Sequence, residues 1–278
     1  MGRSATPVTE LLVDGLDHPE GVAWDPATGV LWAGGEGGQL YRIDIEARTW
    51  NEAPPAPGFV LGLAVDGQGR LAICCEGARS LCVLRDGAVT TLRDGFVLPN
   101  YPAFAPDGTL YLSDSGHWAA NDGCVLRLSS AGELEVLTPA LTHFPNGCAV
   151  SPDGRYLWIV ESYEPTVSRI DVETGEAEQI ARLEGTVPDG IALTDDGGLI
   201  VSCYRPDRIV HLGVDGKLEI VAEDPQGTVL AAPTNVVFVG EQRDRLVSAN
   251  LGRWHLTLVD TGLRGLPLHY PSRWALDA

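Results

Sequence analysis

Short apolar runs recur along this chain, each closed by a cluster of Gly, Pro, Asp or Asn. Val22-Ala23-Trp24, Leu110-Tyr111-Leu112 and Leu157-Trp158-Ile159-Val160 are typical runs, and Asp25-Pro26, Pro106-Asp107-Gly108 and Pro152-Asp153-Gly154 are typical punctuation. Runs this short, flanked by turn formers, predict β-strands and hairpins. None shows the i, i+3, i+4 apolar spacing that a helix needs.

The runs come in six copies of one unit. Each opens on a short box: Pro19-Glu20-Gly21, Val60-Leu61-Gly62, Pro99-Asn100-Tyr101, Pro145-Asn146-Gly147, Pro188-Asp189-Gly190 and Pro233-Thr234-Asn235. An apolar strand, a turn and a second strand follow, then two more strand-like runs such as Thr166–Asp171. The middle box residues lie 41, 39, 46, 43 and 45 positions apart. A period near forty built of strands and Gly-rich turns is that of propeller blades. The expectation is an all-β, six-bladed β-propeller with four antiparallel strands per blade around a central channel. Residues 8–278 form its single domain, and residues 1–7 are a flexible N-terminus. Thr9–Val13 reads as a strand that joins the last blade and closes the ring, with Leu256–Val259 and Leu266–His269 as partners.

Charge narrows the functions. A formal net charge of −19 disfavours nucleic acid, whose binding rests on Lys and Arg neutralising phosphates. The start carries no basic and apolar leader pattern, and no apolar run approaches membrane-spanning length, so a cytoplasmic protein without a membrane partner is expected. It should be a monomer or small homo-oligomer. The six cysteines show no C-x-x-C spacing and read as buried free thiols. Cys74 and Cys75, adjacent on a strand, should point to opposite faces.

One box residue per blade converges on the axis of such a ring. Glu20, Asn100, Asn146 and Asp189 would bring two carboxylates and two amide oxygens together; Leu61 offers none, and Thr234 and Asn235 are open. Hard oxygens without His or Cys select a hard cation such as Ca²⁺, Mg²⁺ or Mn²⁺, which also offsets the repulsion of the two acids. A single Pro-Asn-Gly is an ordinary turn; four oxygen-bearing boxes in register are what argue for a site. The Asp-Gly pairs at 86–87, 107–108, 153–154 and 215–216 are hairpin turns. Segments after each second strand return to a mouth of the channel. Of these, Ser113-Asp114-Ser115-Gly116-His117 suggests a serine hydrolase, but no G-x-S-x-G elbow exists, and His117 reads as a rim contact. Tyr101, Trp118, Phe144, Tyr163 and Tyr204 would give the mouth an aromatic wall suited to a ring-bearing, fairly apolar ligand, or else pack within the blades.

These boxes, with the ending Leu251-Gly252-Arg253-Trp254-His255-Leu256, resemble the senescence marker protein (regucalcin)/gluconolactonase family over essentially the whole chain. The resemblance implies one divalent cation in the channel, Ca²⁺ first with Mg²⁺, Mn²⁺ or Zn²⁺ as alternatives, and a lactone-hydrolysing activity. Glu20, Asn146 and Asp189 match the family's metal-binding residues. Asn100 matches an Asn that binds metal in diisopropylfluorophosphatases and substrate in sugar lactonases. Asp189 matches the proposed general base. The third box departs from the sugar lactonases: no Arg lies near it and Tyr101 replaces a polar residue, against a polyol substrate. The expected activity is a gluconolactonase-like lactonase or esterase using metal-activated water. A lyase, isomerase or cyclising enzyme resembling strictosidine synthase, or a non-catalytic Ca²⁺-binding propeller, are the rival readings.

Overall fold

All but one of the expected apolar runs become strands, with the Gly/Pro/Asp clusters as the turns between them, in a computed structural model that describes residues 9–277. The segment expected to be flexible, 1–7, lies outside the described residues. The strands form six antiparallel sheets of four, the blades of a six-bladed propeller. Blade one runs Val22–Asp25, Val30–Gly34, Leu40–Asp44, Thr49–Ala53, and blades two to five repeat that order outward from the axis. The innermost strands of blades two to six are Val60–Val65, Pro99–Phe104, Pro145–Val150, Val187–Leu193 and Pro233–Val239. They touch in ring order and close back on blade one. Turn chemistry acts as expected: Asp86 and Gly87 both have positive φ, 51° and 75°, which a two-residue hairpin demands.

There is no single core. Six apolar clusters fill the six blade-to-blade interfaces. Cys74 packs into the cluster between blades two and three and Cys75 into that between blades one and two, so the two thiols do face opposite ways. All six cysteines are free, and all but Cys124 are buried. Among the described residues, no helix is long and apolar enough to cross a membrane.

Closure of the ring uses the chain's N-terminal strand. Thr9–Asp14 adds to the outer side of blade six and pairs antiparallel with His255–Val259, from Thr9 opposite Val259 to Asp14 opposite His255. Leu266–His269, expected as a second partner, does something else. Residues 260–277 leave the last strand and cross the lower mouth as a strap. Leu266 N donates to Leu193 O at 2.9 Å in blade five, and Gly265 N to Arg243 O at 2.8 Å in blade six. His269 Nε2 donates to Ser151 O at 2.9 Å in blade four, and Tyr270 Oη to Trp24 O at 3.0 Å in blade one. Gly67 N of blade two donates to Pro271 O at 2.9 Å. Trp274, fully buried, meets the Phe104 ring of blade three edge-on at 5.0 Å and donates Nε1 to Asp66 Oδ2 at 2.8 Å. A Cβ on Gly108 would lie 2.1 Å from Arg273 O, so the strap passes only over glycine there. Strand pairing fails here because Pro267 and Pro271 remove ladder donors from this stretch while its apolar side chains find burial under the ring.

Candidate functional site

The boxes are held where the regular ladder breaks. The innermost strands of blades two to six each shift register against their neighbour at the box, between Val60 and Leu63, Pro99 and Tyr101, Pro145 and Cys148, Pro188 and Ile191, and Pro233 and Val236. A bulge re-aims the side chain it carries. Here it turns the middle box residue toward the upper mouth. Box glycines let the next blade close in: a Cβ on Gly147 would sit 2.3 Å from Asp189 O. Residues at the ends of the second strands fix the approach to each box. Asp114 accepts from Val97 N at 2.8 Å and Leu98 N at 2.6 Å, Glu161 from His143 N at 2.8 Å, and Asn250 from Ala231 N at 3.0 Å.

Serines orient the amides. Asn100 Nδ2 donates to Ser115 Oγ at 2.9 Å, and Ser115 Oγ donates its one proton to Pro145 O at 2.6 Å. Asn146 Nδ2 donates to Ser162 Oγ at 3.2 Å, and Ser162 donates to Pro188 O at 2.6 Å. Because each hydroxyl proton is committed to a carbonyl, the serine can only accept from the amide NH₂. The amide oxygen is thereby left facing away from the serine. Ser202 repeats the link, accepting from Gly190 N at 2.9 Å and donating to Thr234 O, and Thr234 Oγ1 donates to Glu20 O at 2.9 Å. A hydroxyl ladder thus ties the boxes of blades three, four, five, six and one.

The result is a ring of unpaired oxygens. Glu20 Oε2, Asn100 Oδ1, Asn146 Oδ1, Asp189 Oδ1 and Asn235 Oδ1 are all buried without a hydrogen-bond partner. Each such atom costs about 1–3 kcal/mol, and the residues of four of them line one cavity, so they need an explanation; Asn235 stands beside Glu20, donating Nδ2 to its Oε1 at 3.4 Å. Burial, then the charges of Asp189 and Glu76, push the Glu20 carboxyl well above its ordinary range. Burial pushes Asp189 up to about 7, with the Asn146 amide working the other way. Two desolvated acids and the two amide oxygens of Asn100 and Asn146, with no His or Cys among them, fit a hard divalent cation. A second set, Asp17, His18 and Glu36, places three ligand atoms within 4.8 Å at the rim. Those groups already bind one another and Gly37 N, with His18 Nδ1 3.1 Å from Asp17 Oδ1, and leave no comparable orphan.

Glu20, Asn100, Asn146 and Asp189 form the floor of a cavity of about 380 Å³ with Glu76, Ser162 and Thr234. Of the expected aromatic wall, Trp118, Phe144 and Tyr204 line it. Tyr163 stands just outside, edge-on to Trp118 at 5.3 Å. His117 is an exposed rim residue paired with Asp122 at 2.7 Å, outside this cavity. Tyr101 is 8 % exposed, packs between blades three and four, and reaches the wall of a different cavity. It sits at the box position that is glycine in four other blades, one residue past the re-aimed Asn100, and points down the channel. The cavity it reaches, about 660 Å³ at the lower mouth beside the strap, is larger but carries none of the orphan oxygens. The sequence placed Ser115, Ser162 and Glu76 in segments that return to a mouth and left Asn235 open, but it did not show the serines holding the amides, Asn235 as an orphan oxygen, or Glu76 beside Glu20. The serines had a signal: each follows the acid that ends a second strand, Asp114-Ser115 and Glu161-Ser162.

Comparison with known proteins agrees with this architecture. The sequence profile of the SMP-30/Gluconolactonase/LRE-like region matches residues 18–249. A gluconolactonase from Xanthomonas campestris superposes with a TM-score of 0.78 at 23% identity, covering 92% of this chain and 90% of that one. Regucalcin, a calcium-binding protein from Agrobacterium tumefaciens, gives 0.73 at 18%, covering 96% of both chains. A streptogramin B lyase gives 0.69 at 17%, covering 93% of this chain and 98% of that one. No curated protein matches the sequence.

Proposed function

The chain belongs to the SMP-30/gluconolactonase/LRE-like family, and from that premise we propose that it is a divalent-cation-dependent hydrolase that opens a cyclic ester in the upper pocket. The observation that carries the reading is the ring of buried, unpartnered oxygens beneath a cavity of about 380 Å³, a size suited to a small ligand. Glu20, Asn100, Asn146 and Asp189 would hold the cation, with Ca²⁺ first among hard ions. When bound, it supplies positive charge that polarises the ester carbonyl and offsets the two carboxylates.

The chain's own groups do the rest. Asp189 takes a proton from water as the water oxygen bonds to the carbonyl carbon. The ring C–O bond then breaks, the ring oxygen leaves with the proton from Asp189, and a hydroxy acid results. Asn146 sits beside Asp189 and is held by Ser162. The walls exclude bulk water from the carboxyl, whose burial already favours proton uptake near neutrality.

Incubation with a panel of lactones, with Ca²⁺, Mg²⁺, Mn²⁺ or Zn²⁺ and with a chelator, tests this. Cation-dependent appearance of hydroxy acid is expected. Absence of turnover with every cation would sink the reading, and an unsaturated acid as product would assign the same base to elimination.

A further inference from the structure

The floor of the upper pocket is polar and its wall is not. Leu61, Leu98, Val187 and Leu251 line it together with the rings of Trp118, Phe144 and Tyr204. Trp118 is 52 % exposed and lies edge-on to Phe144 at 5.0 Å, so a broad indole face stands at the mouth. Phe144 is held at φ 63°, a conformation bulky residues rarely adopt, directly before the box Pro145. Of the polar side chains of the pocket outside the oxygen ring, Glu76 and the rest of the Arg205 guanidinium are left to meet a hydroxyl, and the others are committed. Ser162 is held between Asn146 and Pro188 O, and Thr234 donates to Glu20 O. Arg205 Nη1 donates to Tyr204 O at 2.8 Å and Asp207 at 2.9 Å. A polyhydroxylated lactone would press several hydroxyls against this wall, and each one left unpaired costs on the order of tenfold in binding.

Resting on the hydrolase reading above, we infer that the substrate is a lactone bearing an aryl or alkyl substituent, not a sugar lactone. Its carbonyl faces the oxygen ring, and its apolar part lies against Trp118, Phe144 and Tyr204.

The test compares kcat/KM for 3,4-dihydrocoumarin, δ-valerolactone and glucono-δ-lactone at saturating Ca²⁺. Dihydrocoumarin should exceed glucono-δ-lactone by ~100-fold or more, since a ring's worth of apolar contact discriminates by about 10–200-fold per step. Trp118→Ala and Phe144→Ala should each lower the ratio of dihydrocoumarin to δ-valerolactone by ~10-fold or more, with an unchanged melting temperature confirming the fold. A preference for glucono-δ-lactone, or a ratio that neither substitution moves, overturns the inference. Binding is read separately, by tryptophan fluorescence with two non-hydrolysable lactams, 3,4-dihydro-2-quinolinone and gluconolactam. If no lactone is turned over, the hydrolase reading falls on its own. Tighter binding of the quinolinone then still supports the apolar pocket, and tighter binding of gluconolactam overturns it.

Discussion

At the scale of single residues, the proposed base is Asp189, which joins a raised carboxyl to the oxygen ring. Asp189→Asn keeps the shape and an oxygen donor but removes the basicity. Turnover at saturating cation should fall by ~10²–10⁴-fold, the usual worth of a general base. Glu20→Gln is the comparison: extra cation should restore most of its activity. Near-normal turnover in Asp189→Asn beside a dead Glu20→Gln would transfer the base to Glu20. Ser162 acts through Asn146 and touches no reacting atom. Ser162→Ala frees the amide to rotate, and loss of such a supporting contact costs ~10–100-fold in metal affinity. Titration calorimetry with Ca²⁺ reads this directly, and unchanged affinity would mean that Asn146 needs no such support.

Among the elements, the bulged inner strands and the C-terminal strap do different work. The bulges aim side chains; the strap ties blades. Its anchor is Trp274, whose indole is buried against Phe104 and bonded to Asp66, while Arg70 Nη1 pairs with Asp277 Oδ1 at 2.7 Å just beyond. Trp274→Ala removes a large side chain from between blades two and three, and such core truncations cost about 3–5 kcal/mol. Urea unfolding should show that loss with catalysis on any substrate retained, since the strap lies at the other mouth from the oxygen ring. A stability within ~1 kcal/mol of the parent would show that the strap is merely laid over the mouth.

For the whole molecule, the ring of oxygens couples folding to protons and, on the function proposed above, to a cation. Asp189 is raised in the fold to about 7, and Glu20 is raised as well. A raised acid favours the folded state fully below its unfolded value, near 4, and that contribution is lost as pH rises through about 7. A cation bound as proposed would displace those protons and so bind more tightly as pH rises. The melting temperature with Ca²⁺ minus that with a chelator should therefore be positive and larger at pH 8 than at pH 5. Taking the difference cancels acids elsewhere, such as Asp224, whose backbone hydrogen bonds overcome its burial and hold it at about 2. A difference of zero at both pH values would remove the cation from the account.

The repeat, the blade count and the middle box residues were legible in the chain, because strand and turn chemistry are local and the box recurs at a countable spacing. Thr9–Val13 as the closing strand was legible for the same reason, and the structure extends it to Asp14. What Tyr101 and Asn235 do was not. Both occupy the slot that is glycine in the other boxes, and a register shift beside it decides whether a side chain faces the mouth or the shaft. Nor could the period reveal that Ser115 and Ser162 commit their protons to the next blade, since those carbonyls are 30 and 26 residues away. The strap was misread as a strand because its apolar residues look alike whether buried by pairing or beneath a ring. Local pattern sets which residues are strands and which side chains carry oxygen. Only closure of the ring brings Asp189, more than 160 residues after Glu20, close enough for its charge to add to burial in raising the Glu20 carboxyl, with an oxygen of each left unpaired.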